Sequence, residues 1–358
     1  MVKALLQIML VWASMLWIPA MAQPPAGYYD SAAGLTGKAL QQALHDIIDG
    51  HTELTYSGLW NCFLTTDKKP DGTVWDIYSD IPGGTPPYSF TFITDQCGNY
   101  SREGDCYNRE HIFPRSWFTE GSQMYTDLFH IYPTDGWVNN KRGNLPFGET
   151  SSPNWVSANG SKTGPFSTAG FQGEVFEPLD AYKGDIARSL FYVATRYYGE
   201  SGDWPGSAMT DRSEPKPWAL DLLLKWHTSD AVSQKEIQRN EEVFKYQKNR
   251  NPFIDDPLFA GKIWGGVSST PEMRTGEPLA IFYPNPVKET LHLQFNRPVT
   301  GPVTIILSDL RGLMVMKITI MNTQNRIPVY QLPPGLYVLT IITPETVQTE
   351  TLLKSEIQ

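Results

Sequence analysis

Glu110 and His111 stand side by side, and a carboxamide, Asn139, follows on a later element. An imidazole can deprotonate water near neutral pH, because its unperturbed pKa is about 6.5. A carboxylate and an amide oxygen suit a hard divalent cation such as Mg²⁺ or Mn²⁺. Together they supply what one-metal hydrolysis of a phosphodiester requires: a base for the water and a cation for the charge that develops on the leaving oxygen. A guanidinium, Arg142 or Arg115, would clamp the phosphate. By itself a Glu-His dipeptide is no evidence, since chance supplies it often, and a lone histidine is more often packed or bonded to a turn. His130 stays open between a supporting imidazole and a packed one. His45, His51, His227 and His292 have no convergent partners and read as structural.

Those groups need elements to hold them. The Glu110-His111 segment ends an extended stretch at Pro114, and residues 135–142 start a helix. Upstream, Thr36 is placed to cap a helix whose apolar face carries Leu40, Leu44, Ile47 and Ile48. Val74 to Tyr78 reads as a short strand and Pro82-Gly83-Gly84 as a turn. The Gly- and Ser-rich stretch from Thr150 to Gly173 reads as loop. Helical spacing resumes at Asp185, with Ile186, Leu190, Phe191, Ala194 and Tyr197 on one face, and continues over 217–227 and 233–247. Residues 265–278 are a linker in composition. Beyond them, alternation in 291–295, 303–307 and 335–341, with turns at 309–312 and 333–335, predicts about seven short strands and a small β-sandwich. The expected fold class is α+β: residues 23–264 as one domain, the linker, and residues 279–358 as an all-β domain.

Met1-Val2-Lys3, an apolar run to about Ala20, and Ala20-Met21-Ala22 before Gln23 make a secretory signal peptide over residues 1–22. The competing reading is an uncleaved membrane anchor. No later segment is long and apolar enough to span a bilayer. Export permits disulfides. Of the three cysteines, Cys97 and Cys106 bracket a polar loop just before Glu110, and a bridge there would pin it. Cys62 is then free; three reduced thiols are the alternative. The spacing does not suit zinc. A hydrophobic content of 41% makes the chain globular, and a net charge of −9 argues against a broad nucleic-acid-binding face. A local basic cleft would suffice for an enzyme that touches its substrate only there.

Three blocks carry a family resemblance. Asp95–Gly98 with Cys106–His111 and Ser116–Phe118, then Tyr132–Asn144, then Glu236–Asn240 with Gln247–Asp255, resemble the bacterial endonuclease I family, in order, over most of Tyr56 to Pro257. The resemblance implies a ββα-metal (His-Me finger) fold, with the base on a strand and the amide ligand on a helix. By position His111 matches the base, Glu110 and Asn139 match the metal ligands, and Asp127 and Arg142 enter as supporting residues. It further implies cleavage of DNA, and often RNA, with little sequence preference. One departure stands out: the family commonly has Asp-Leu-His-His where this chain has Asp127-Leu128-Phe129-His130. If the missing imidazole supports the site, activity or metal affinity falls. In the tail, Tyr283-Pro284-Asn285-Pro286, a turn containing Gly312, and Leu332–Tyr337 resemble the C-terminal sorting domain of type IX secretion substrates. That implies passage through outer-membrane secretion machinery to the cell surface or medium. An Ig-like adhesive module is the rival.

The expected function is therefore a secreted, Mg²⁺-dependent, non-specific endonuclease. Its rivals are a disabled scaffold that binds nucleic acid or glycan, and an exported phosphodiesterase for small nucleotides, which would need a closed pocket.

Overall fold

The computed structural model describes residues 23–265, 279–296, 301, 303–309, 314–320, 326–343 and 347–356. The expected signal peptide, all of the linker but Gly265, and the Gly312 turn lie outside the described residues. The chain separates into two compact units, residues 1–267 and 268–358.

The first unit opens with α1 (Gly37–Ile48) and α2 (Leu59–Thr66). Thr36 does occupy the position before α1, but its side chain makes no capping bond. Strands β1 (Tyr107–His111) and β2 (Ile131–Asp135) pair antiparallel, with Glu110 opposite Tyr132 and His111 opposite Ile131. Helix α3 (Gly136–Arg142) follows with no intervening loop, because Asp135 both ends β2 and accepts the Val138 amide at 2.8 Å. The result is a strand–strand–helix unit. Three short strands, β3 (Trp155–Val156), β4 (Lys162–Pro165) and β5 (Glu174–Glu177), form a small sheet. Helix α4 (Lys183–Arg196) is buried along nearly its whole length and packs against α1 and against α5 (Pro217–Ser229), which follows the two-strand ribbon of β6 (Thr210–Asp211) and β7 (Glu214–Pro215). A full capping box of Ser233 and Glu236 starts α6 (Gln234–Gln247), and α7 (Pro252–Asp255) and α8 (Leu258–Trp264) finish the unit.

Two local expectations are corrected. Residues 74–78 are not a strand: the Asp76 carboxylate accepts the Tyr78 amide at 2.7 Å, which closes a turn that an extended backbone cannot make. Residues 150–173 are not all loop, since β3 and β4 fall inside them. β4 pairs with β3 on one side and on the other with β5, which lies beyond the glycine-rich stretch, so local composition hid the sheet. Gly164 permits the close packing, as a Cβ there would sit 2.6 Å from Thr150 Oγ1.

The second unit is all β. One sheet orders β11 (Met314–Ile320), β10 (Val303–Asp309), β13 (Gly335–Ile342) and β14 (Val347–Lys354); the other orders β12 (Arg326–Pro328), β9 (Thr290–Phe295) and β8 (Ala280–Tyr283). Alternate residues of β13, namely Tyr337, Leu339 and Ile341, point inward with Leu291, Leu293, Ile305 and Leu307 to form one aliphatic core.

Candidate active site

β1 sends alternate side chains to opposite faces, which separates Glu110 from Arg109 and His111. Glu110 is buried and receives the Tyr78 hydroxyl at 2.9 Å. Arg142 Nη1 lies 3.1 Å from the same carboxylate oxygen. Burial nevertheless lifts the Glu110 carboxyl to about 7, so one guanidinium and one phenol do not fully offset the desolvated charge. Asn139, one turn into α3, donates from Nδ2 to the Arg109 carbonyl oxygen at 3.3 Å. That bond places the amide against the peptide that leads into Glu110 and leaves Oδ1 as its free oxygen. An under-compensated carboxylate beside a presented amide oxygen fits a hard divalent cation.

His111 is buried, and its Nε2 lies 3.2 Å from the Tyr125 carbonyl oxygen. A carbonyl only accepts, so Nε2 carries the proton and Nδ1 keeps its lone pair. Burial, then the neighbouring His130, holds the imidazolium well below the usual histidine range. The His130 ring is 5.4 Å away; its Nε2 donates to the Met124 carbonyl at 2.7 Å, and burial lowers it to about 4. His130 is thus a packed imidazole whose ring lies near that of His111.

The phosphate clamp expected at Arg142 is corrected. Arg142 is 1% exposed, and its guanidinium donates to the carbonyls of His111 at 2.9 Å and Ile112 at 2.7 Å. It acts as a strut and a counter-ion for Glu110. Arg115 is different: its side chain is 53% exposed and its guanidinium lies over the Tyr125 ring at 4.6 Å. Asp127 is buried away from His111 and accepts the hydroxyls of Tyr192 and Tyr197, both at 2.9 Å, and Gln247 Nε2 at 3.0 Å. Although burial opposes it, His51 and His130 with these donors hold its carboxyl below the ordinary value. Phe129 points into the core, 4.6 Å from the Tyr192 ring.

Elements far away in sequence fix this arrangement. Arg239 of α6 pairs with Asp67 at 2.8 Å and donates to the carbonyls of Leu128 and Ile131, also at 2.8 Å. Gln247 accepts the Leu128 amide. The third block of the sequence thus holds the segment that delivers His130 and β2. Cys97 and Cys106 are bridged and Cys62 is free. The bridged loop docks on α3: Gly104 donates to Asp135 at 2.7 Å, and a Cβ at Gly136 would meet Tyr100 at 2.5 Å.

Sequence reasoning missed Tyr78, which meets Glu110, and Tyr56 and Tyr125, which meet His111; no local pattern joins them. It passed over Arg109, although an i, i+2 position on the same strand places it beside His111. Elsewhere in the first unit, His45, Asp49 and Glu200 bring ligand-type atoms within 4.8 Å of one another. The Arg196 guanidinium already pairs with Asp49 at 2.7 Å and Glu200 at 3.2 Å, so this is an ion-pair cluster.

Residues 36–258 match the profile of Endonuclease I, and residues 281–355 match the secretion system C-terminal sorting domain. An extracellular ribonuclease of Bacillus amyloliquefaciens is 38% identical over 66% of this chain and 78% of its own length. An extracellular ribonuclease of Bacillus subtilis is 36% identical over 70% and 84%, respectively. Endonuclease-1 of Buchnera aphidicola is 26% identical over 37% and 47%. The class is a hydrolytic nuclease fused to an export domain of the type IX kind. The chain belongs to the endonuclease I family. Among the described residues, no helix is long and apolar enough to cross a membrane.

Proposed function

We propose that this protein is an exported, non-specific endonuclease that cleaves DNA and RNA, with His111 as general base and Glu110 and Asn139 holding Mg²⁺. The observation that carries the reading is the 3.2 Å contact of His111 Nε2 with the Tyr125 carbonyl oxygen, from which the tautomer follows. Nε2–H is committed to the Tyr125 carbonyl, so the Nδ1 lone pair is left to take a proton from water. The same carbonyl then stabilises the imidazolium that results. Bound Mg²⁺ would stabilise the negative charge that develops on the leaving oxygen. Tyr78 and Arg142 hold the Glu110 carboxylate in one orientation, and the bond from Asn139 to Arg109 holds the amide. The names of the Bacillus relatives support RNA as a substrate, and that of the Buchnera relative supports nuclease action more broadly. Phe129 lies in the core against Tyr192, which weighs against a scaffold disabled at that position. A signal peptide over residues 1–22 and the tail domain are the proposed export signals.

The test is nicking of supercoiled plasmid and degradation of single-stranded RNA by the mature protein with Mg²⁺, alongside EDTA and His111→Ala. Cleavage that needs both metal and His111, with about a thousandfold loss in the variant, supports the reading. Well-folded protein inactive with every divalent metal tried sinks it.

A further inference from the structure

Beside His111 the first unit stacks two guanidiniums and three rings in one ladder. The Arg109 guanidinium lies over Trp60 at 4.3 Å and over Tyr56 at 3.6 Å. Tyr56 meets Tyr125 with ring centroids 4.6 Å apart and 32° between planes. Arg115 covers Tyr125 at 4.6 Å. The His111 ring lies 6.1 Å from Tyr56 and 5.8 Å from Tyr125, inclined to them by 28° and 31°. One end of this ladder is closed, since Trp60 sets its edge against Phe63 and Tyr107. The other end is open. Arg115 is half exposed, and its carboxylate partner, Glu120, is 3.8 Å away and almost wholly in solvent.

We infer that the open face of Arg115 is a stacking seat for an unpaired base next to the scissile phosphate, which makes single-stranded nucleic acid the preferred substrate class. This deepens the nuclease reading and rests on it for the position of the phosphate. A guanidinium plane stacks on a base as an aromatic face does, and its charge adds attraction. Three features prepare Arg115 for this. Tyr125 holds the plane before substrate arrives, so less side-chain freedom is lost on binding. Tyr125 also anchors His111 through its carbonyl, which fixes the seat relative to the base. Arg109, half-buried beneath Tyr56 with Nη1 on the Tyr56 carbonyl at 2.7 Å, stiffens the stack from below. Duplex bases are already stacked on each other and offer no free face. Stacking tolerates any base, which agrees with low sequence preference.

The test measures binding of a fluorescently labelled oligothymidylate and of an abasic oligomer of equal length, by anisotropy in EDTA, so that it stands apart from cleavage. The wild-type protein is expected to bind the thymidylate about tenfold more tightly than the abasic chain. Arg115→Lys keeps the charge but loses the plane, and is expected to bring the ratio near one. Arg115→Trp restores a plane without charge and is expected to recover the preference while weakening both affinities. Equal binding of the two oligomers by wild type, or an unchanged ratio in Arg115→Lys, overturns the inference. Failure of metal-dependent cleavage would instead strike the nuclease reading, and the binding ratio would still decide the seat.

Discussion

The two units bury different things. In the first unit, Arg142, Arg188, Arg196, Arg239 and Arg250 are at most 3% exposed, and carboxylates such as Asp67, Glu110, Asp127 and Glu236 lie inside with them. In the second, the core is Leu, Ile and Val from alternating strand positions, with Tyr337 at its edge. Buried charge is expensive and survives only where partners are placed within about 3 Å. The first unit accepts that cost where it holds backbone in one shape, as at Arg239, which touches Asp67 and two carbonyls around β2. The second unit, matched to a sorting domain, needs only a closed β core. Chemistry and transport leave different signatures in the packing.

The largest expected effect is at Arg239. Replacing it by Ala or Met leaves Asp67 buried without its cation, and the first unit should lose about 3–5 kcal/mol by urea melting, with cleavage lost as well. If Arg239→Met proved neutral, the buried charges would be ornamental and the contrast would fail. The second unit should behave as an ordinary apolar core. Ile305→Ala there should cost about 2–4 kcal/mol in protease or melting assays, Ile305→Val only about 1 kcal/mol, and neither should alter cleavage.

A pH test sharpens the same contrast. Burial, with some repulsion from Asp135, lifts the Asp76 carboxyl to about 7. A raised carboxyl favours folding most when both states are protonated. That contribution is complete below about pH 4 and is lost as pH rises through 7. Between about pH 5 and 7 this group should remove on the order of 1 kcal/mol per pH unit. Other raised carboxyls, Glu110 among them, contribute to both proteins, so the wild-type slope should exceed that of Asp76→Asn by about this amount; equal slopes would refute it. The smallest effect is expected from ending the chain at Trp264, where cleavage should stay within about twofold of the whole protein.

Much of this was legible in one dimension. The helices α4, α5 and α6 announced themselves by spacing, and the β13 alternation fixed which residues face inward. Glu110, His111 and Asn139 stood out by residue type, and the family resemblance gave them their expected roles; strand β1 carries the first two and helix α3 the third. The Cys97–Cys106 bridge was likewise a short-range inference, confirmed in the structure.

What the sequence could not decide is where long side chains end. Arg142 and Arg115 are equal as letters, yet one is a buried strut and the other an exposed plane, and only the packing of β1, α3 and the Tyr125 turn separates them. Tyr78 reaches Glu110 from 32 residues away, and Arg109 meets the Tyr56 carbonyl across 53. Spacing reports on neighbours within a few residues, because that is the reach of a helical turn or a pleat. Contacts between distant segments arise only when the chain closes on itself, so the sequence determined which residue types are available and the tertiary structure decided which of them meet.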